Sequence, residues 1–239
     1  MTQSNNYSEF YTRKRPDIFT PLVSFWHKRM LTIAARFIPN FKQKTLLEIG
    51  PGCAFLAKRC VEDNMTYRAI EMNEQQAAFL QNEGYHVIPA TVPPIPAGEP
   101  VQVIWLSHML EHVASHSEAK ALLLACYDRI DADGYVVIIG PDVYHWKADF
   151  WGCDWSHGYP TSVFRVEQLL NETGFSLHQS MHHTATITNS FFAWLISVLF
   201  RFAPMDTLDF MFYKKFKWRP CQAFMHKFGL RQIYVIGKK

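Results

Sequence analysis

Apolar residues recur along this chain in two periods, and their alternation outlines the fold. From Asp17 to about Ile38 they return at helical spacing (Leu22, Phe25, Trp26, Met30, Ile33, Ala34, Phe37), and Pro39 closes the run. From Thr45 a partly β-branched apolar run ends in an acidic residue, Glu48; a glycine-punctuated turn follows, and a helix is predicted over Cys53–Glu62. Thr66–Glu71 reads as a second strand ending in another carboxylate, with Asn73 as N-cap and Gly84 as stop of the next helix. Tyr85–Ile88 is a third strand. Val101–Leu106 is a fourth, apolar apart from Gln102, as expected of a strand buried on both faces. Ser115 and Glu118 have capping-box spacing, and the helix they open presents Ala119, Leu122, Leu123, Cys126, Tyr127 and Ile130 on one face. Asp131–Gly134 turns the chain into a fifth strand, Tyr135–Gly140. Strands and helices in steady alternation predict an α/β fold, a mostly parallel sheet with helices on both faces.

Composition narrows the class. The 239 residues suit one α/β domain over 44–239, preceded by a polar arm and helix over 1–43. With 49% hydrophobic and 19% charged residues, wholesale disorder is excluded. A net charge of +3 is too small to suggest a nucleic-acid partner. Five cysteines without a CxxC pair read as reduced thiols, which points to a cytoplasmic setting. The polar N-terminus is not a secretory signal, and the longest uncharged apolar stretch, Ile187–Phe200, falls short of the roughly 18 residues of a membrane span.

The turn Gly50-Pro51-Gly52 carries the first chemistry. Glycine lets backbone approach a ligand closely, and the following helix presents free N–H groups. Glu71 lies 19 positions beyond Gly52, where a βαβ unit places an acidic residue that accepts from ribose hydroxyls. A dinucleotide site wants glycine at the third position of G-x-G-x-x-G, and here that position is Phe55, which disfavours a pyrophosphate. A P-loop pattern is absent. Glu48 instead suits a cationic ligand such as the sulfonium and ammonium groups of S-adenosylmethionine.

Leu47–Ala54 resembles motif I of the class I S-adenosylmethionine-dependent methyltransferases, with Ala54 in place of the third glycine. Trp105–Val113 resembles the fourth-strand motif of that family, including the Leu-Glu-His-Val ending of small-molecule members. Asp133–Val137 with Pro141-Asp142, and Leu169–Phe175, resemble its later motifs, and the likeness covers about residues 44–183 plus the last strand, Arg231–Gly237. It implies a Rossmann-like seven-stranded sheet, S-adenosyl-L-methionine as cofactor, and methyl transfer to a small-molecule acceptor of lipid, quinone, glycan or secondary-metabolite type. By the same resemblance Glu48, Gly50, Pro51 and Gly52 hold the methionine part and Glu71 the ribose. Met72, Leu106 and Ser107 then meet the adenine and nearby groups, with Thr91 as a further adenine contact. A non-catalytic methyltransferase-like binding protein and a dinucleotide oxidoreductase are the rival readings.

Four residues near the expected ligand edge are candidates for proton handling: His108, His112, His157 and Tyr159. His108–His112 also fits H-x-x-E-H, but that zinc signature requires a helix and a third distant ligand, so no metal is expected. His182 and His183 read as structural. About 45 residues, from 184 to 230, form an insertion rich in aromatic side chains, with Lys214, Lys215, Lys217 and Arg219 among them. Three uses fit that composition: a cap over an apolar substrate, a peripheral membrane contact, or a homodimer contact through 187–219 or plain core.

Overall fold

The structure, a computed structural model, describes residues 20–184, 195, 198–199, 202, 204–216 and 229–239. Most of the aromatic insertion, and the polar arm, lie outside the described residues.

Strand β1 (Leu46–Ile49) lies between β2 (Tyr67–Glu71) and β4 (Val101–Ser107), parallel to both, and β3 (Val87–Pro89) extends the sheet beyond β2. On the other side β5 (Ile130–Pro141) is parallel to β4. Strand β7 (Arg231–Lys238) then inserts antiparallel between β5 and β6 (Ser176–Thr184), giving seven strands in the order β3-β2-β1-β4-β5-β7-β6.

The helices are α1 (Thr20–Phe37), α2 (Phe55–Glu62), α3 (Glu74–Asn82), α4 (His116–Arg129), α5 (Val143–Trp146), α6 (Asp149–Gly152), α7 (Val163–Glu172) and α8 (Met205–Phe216). Successive strand residues point to opposite faces, so Val103 and Trp105 join the core under α1, α2 and α3, while Ile104 and Leu106 join the core under α4 and α7. Met30 and Ala34 of α1 are fully buried in the first of these cores, so the N-terminal helix packs on the sheet itself. Asn73 caps α3 by accepting from the N–H groups of Gln75 and Gln76, and Ser162 caps α7 by accepting from Arg165.

Three local details differ from the sequence reading. Helix α2 begins at Phe55, because Ala54 takes a left-handed φ of 56° and stands outside the helix as its cap. The segment 131–134 lies within β5, where the pairing slips between Val101↔Ile130 and Val103↔Tyr135; it is a bulge, and Ile130 is a strand residue. At α4 the Ser115 hydroxyl accepts from the Glu118 N–H, but the Glu118 carboxylate reaches the N–H of Ala114, one residue before the cap.

Candidate active site

The carboxyl ends of β1, β2, β4 and β5 form one edge of the sheet, where open α/β sheets bind ligands. At the end of β1 the chain turns through Gly50 (φ 75°) and Gly52 (φ 52°), a backbone region that L side chains rarely enter. A Cβ on Gly52 would meet nothing within 4 Å, so the turn faces open space. Gln76 of α3 pins it by donating to the Gly52 carbonyl at 2.7 Å.

Two carboxylates flank this turn in different ways. Glu48 is buried and accepts from the Tyr67 hydroxyl at 2.5 Å. Burial pushes its carboxyl up to about 8, opposed by the Tyr67 bond and reinforced by the nearby charge of Glu71. Glu71 ends β2 and accepts from the Asn73 N–H at 2.9 Å. Burial raises its carboxyl above the ordinary range, against the N–H groups of Asn73, Gly52 and Met72 that stabilise the charged form. Met72 stands 65% exposed beside it. Thr91 is exposed just beyond β3, next to the end of β2. Ser107 is half-buried at the tip of β4, whereas the Leu106 side chain is fully buried in the core under α4, so that residue faces the edge only with backbone.

The chain leaving β4 holds the histidines. His108 adopts a left-handed φ of 53°, and its Nδ1 lies 3.1 Å from Oε1 of Glu111. Glu111 is 1% exposed; burial pushes its carboxyl up, but the hydrogen bond and charge of His108 and the charge of His112 outweigh this and hold it below the ordinary range. Residues Leu110–His112 form a single 3₁₀ turn. The Glu111 carbonyl accepts from the N–H groups of Gly158 and Tyr159, fastening the segment after α6 to the turn after β4. That contact brings His157 beside His112, with ring centroids 4.9 Å apart.

A cleft of about 500 Å³ opens here, lined by Met72, His112, Ala114 and Trp155–Gly158. It therefore joins a residue expected at the adenine (Met72) to two of the expected proton handlers (His112 and His157). Tyr159 is set apart from it: its ring is buried, with the Arg165 guanidinium 4.8 Å from the ring centre and His116 stacked at 6.3 Å. Burial lowers the His112 imidazole below its ordinary value.

Three residues of the loop 154–159, which the sequence places at this edge without giving these three a role, join the site. Ser156 lies 2.7 Å from Nδ1 of His112 and donates to Asp154 at 2.6 Å. Trp155 stands 86% exposed at the cleft. Asp154, Trp155 and Ser156 share a polar-aromatic segment whose composition hinted at a binding loop, without a spacing that would assign roles. His182 bonds Asp142 at 2.7 Å and His183 is buried, and neither lines the cleft.

No protein-family model matches the sequence, and no curated protein matches it either. Solved structures do. A S-adenosylmethionine-dependent methyltransferase from Archaeoglobus fulgidus is 18% identical, with a TM-score of 0.57 over 89% of this chain and 94% of that one. Coclaurine N-methyltransferase, solved with N-methylheliamine and S-adenosylhomocysteine, is 14% identical with a TM-score of 0.60 over 89% of this chain and 72% of that one. The (4+2)-cyclase SpnF is 12% identical with a TM-score of 0.64 over 99% of this chain and 96% of that one. With its glycine turn after β1, its carboxylate after β2 and its antiparallel last strand, the chain has the fold of the class I S-adenosylmethionine-dependent methyltransferases.

Proposed function

We propose that the protein binds S-adenosylmethionine and transfers its methyl group to a small-molecule acceptor. The observation that carries this reading is the meeting of Glu71 with the Gly50–Gly52 turn at the ligand edge. Glu71 offers its carboxylate to the ribose hydroxyls, and the turn lets the methionine part lie against backbone. Glu48 supports a cationic ligand over a pyrophosphate. Its carboxyl is held largely neutral by burial, and a nearby sulfonium or ammonium favours the ionised form.

The chemistry is a direct displacement. A lone pair on the acceptor attacks the sulfonium methyl carbon, the C–S bond breaks with its electrons to sulfur, and S-adenosylhomocysteine leaves. The acceptor's proton passes to His108, whose Nδ1 is held by the buried Glu111 carboxylate, which leaves Nε2 as the base. Alignment in the cleft supplies much of the acceleration.

Exposed Trp155 and Met72 at the cleft favour an acceptor with an apolar part. Helix α8 adds exposed Phe210, Met211 and Phe212 with Lys214 lying over the Phe210 ring, which suits a lipophilic substrate approaching from a membrane surface or through a partner copy. No helix among the described residues is long and apolar enough to cross a membrane.

The fold also carries a cyclase, so activity has to be measured directly. Calorimetry with S-adenosylmethionine, S-adenosylhomocysteine and NAD comes first, followed by labelled-methyl transfer to a panel of phenols, quinols, amines and lipids. Binding of both sulfur ligands with transfer to one acceptor class is expected. Binding of NAD alone overturns the reading, and tight cofactor binding without transfer to any acceptor favours a binding protein.

A further inference from the structure

We infer that Glu111, His112 and His157 bind a divalent transition-metal ion beside the acceptor cleft. Each of the three brings one donor atom within 4.8 Å of the other two. Their free atoms are then fixed by what the other atoms already do. On Glu111, Oε1 is taken by His108, while Oε2 is buried with no hydrogen-bond partner. A charged oxygen left in that state is costly, and a cation relieves it.

The two imidazoles are oriented as metal ligands are. Ser156 has a single hydroxyl proton, which goes to Asp154, so its oxygen can only accept from His112; Nδ1 of His112 carries the proton and Nε2 the lone pair. Nδ1 of His157 lies 2.5 Å from the Phe150 carbonyl, which only an N–H can approach, so its Nε2 is also a lone pair. An outer hydrogen bond on Nδ1 that leaves Nε2 basic is the arrangement that metal-bound histidines show. Oε2 packs close beside Gly140, where a Cβ would come within 3.2 Å of it, so a side chain there would crowd the carboxylate.

Two imidazole nitrogens and one carboxylate oxygen suit a borderline ion such as Zn²⁺, Fe²⁺ or Co²⁺ over Mg²⁺ or Ca²⁺, and three protein ligands leave positions open. Bonds of about 2.0–2.1 Å set tetrahedral donors about 3.4 Å apart, so the site draws inward when it loads. If methyl transfer is the activity, an ion held there would offer its open position to an acceptor hydroxyl and make that proton easier to give up, with His108 as the group that takes it. That role rests on the proposed function, whereas the ion site does not.

The test uses the full chain, stripped with chelator and titrated with Co²⁺, followed by visible absorption and by calorimetry with Zn²⁺. One equivalent is expected to bind with the ligand-field bands of a low-coordinate N/O site. Glu111→Gln and His157→Ala should each weaken binding at least tenfold while keeping the far-ultraviolet circular dichroism of the parent, and His116→Ala, on the exposed Glu172 contact, should leave it unchanged. The absence of stoichiometric Co²⁺ and Zn²⁺ binding overturns the site, as does binding indifferent to His157→Ala. Should Glu111→Gln fail to fold, His157→Ala decides, because it lies in a partly exposed loop. S-adenosylmethionine affinity measured on the same preparation separates the two readings: loss of the ion alone sinks this inference, and loss of the cofactor alone sinks the proposed function.

Discussion

The Tyr67 hydroxyl on β2 donates to Oε2 of Glu48 on the neighbouring β1, inside the protein. A carboxyl in that position prefers its proton. Its folded value of about 8 exceeds the ordinary 4.5, so the stability it contributes is fully present below about pH 4.5 and is lost as pH rises through about 8. Thermal melts of the ligand-free protein should fall in Tm across that window, and Glu48→Gln, which keeps an acceptor for Tyr67, should flatten the fall. S-adenosylmethionine binding near pH 7 should release a proton, read by calorimetry in buffers of different ionisation enthalpy.

His183 on β6 gives the opposite sign. Burial, reinforced by the Arg29 charge, lowers its imidazole to about 3. The depressed value means that its contribution is present above the ordinary 6.5 and lost as pH falls toward 3. His183→Leu should shift the acid-unfolding midpoint to lower pH without changing the melts above neutrality, where circular dichroism against pH is the measurement.

Glu71→Ala removes the proposed ribose acceptor at the end of β2. Two hydrogen bonds to a charged group are worth about 1.5–3 kcal/mol each, with desolvation offsetting part, so cofactor affinity should fall about 10–100-fold with little change in Tm. Affinity unchanged by this substitution would remove Glu71 from the site.

Gly158→Ala tests the fastening of the cleft. Its new Cβ would lie 2.7 Å from the Val113 carbonyl and 3.1 Å from the Ala114 Cα, both backbone atoms that cannot rotate away. The loop must shift, at a cost of about 1–3 kcal/mol in stability. Methyl transfer should be lost while cofactor affinity stays within about threefold, since Glu71 and the glycine turn lie on other elements.

What the sequence made legible, and what it hid, divides along physical lines. The turn after β1, the Asn73 cap and most of the inward faces of α1 and α4 are local, and spacing and side-chain type decide them; the exceptions are Phe25, expected on the inward face of α1 but 52% exposed, and Ile130, which belongs to β5. The bulge at 131–134 was not, because it depends on how β5 registers against Val101 and Val103, a choice made between strands. Glu118 could be seen as a capping partner, but which N–H it takes depends on how the chain enters the helix from Ala114. That the loop 154–159 and the end of β4 share an edge was legible, but the Asp154–Ser156–His112 hydrogen bonds were not, since His112 and Ser156 lie 44 residues apart and meet through tertiary contacts such as those of the Glu111 carbonyl. H-x-x-E-H was visible, but the structure groups different side chains: Glu111 and His112 sit in a 3₁₀ turn beside His157 from a distant loop, while His108 bonds Glu111.

The place of β7 has a consequence for how the chain reaches this state. Residues 231–238 fill the gap between β5 and β6, and among the described strands β6 has no other neighbour. During synthesis β6 therefore emerges with nothing to pair with, and an edge waits unsealed until the ribosome has released the far end of a long aromatic insertion. Such late, distant pairing folds slowly and leaves sticky surface uncovered meanwhile. For this protein, expression temperature and chaperone supply should govern soluble yield more than any cofactor does.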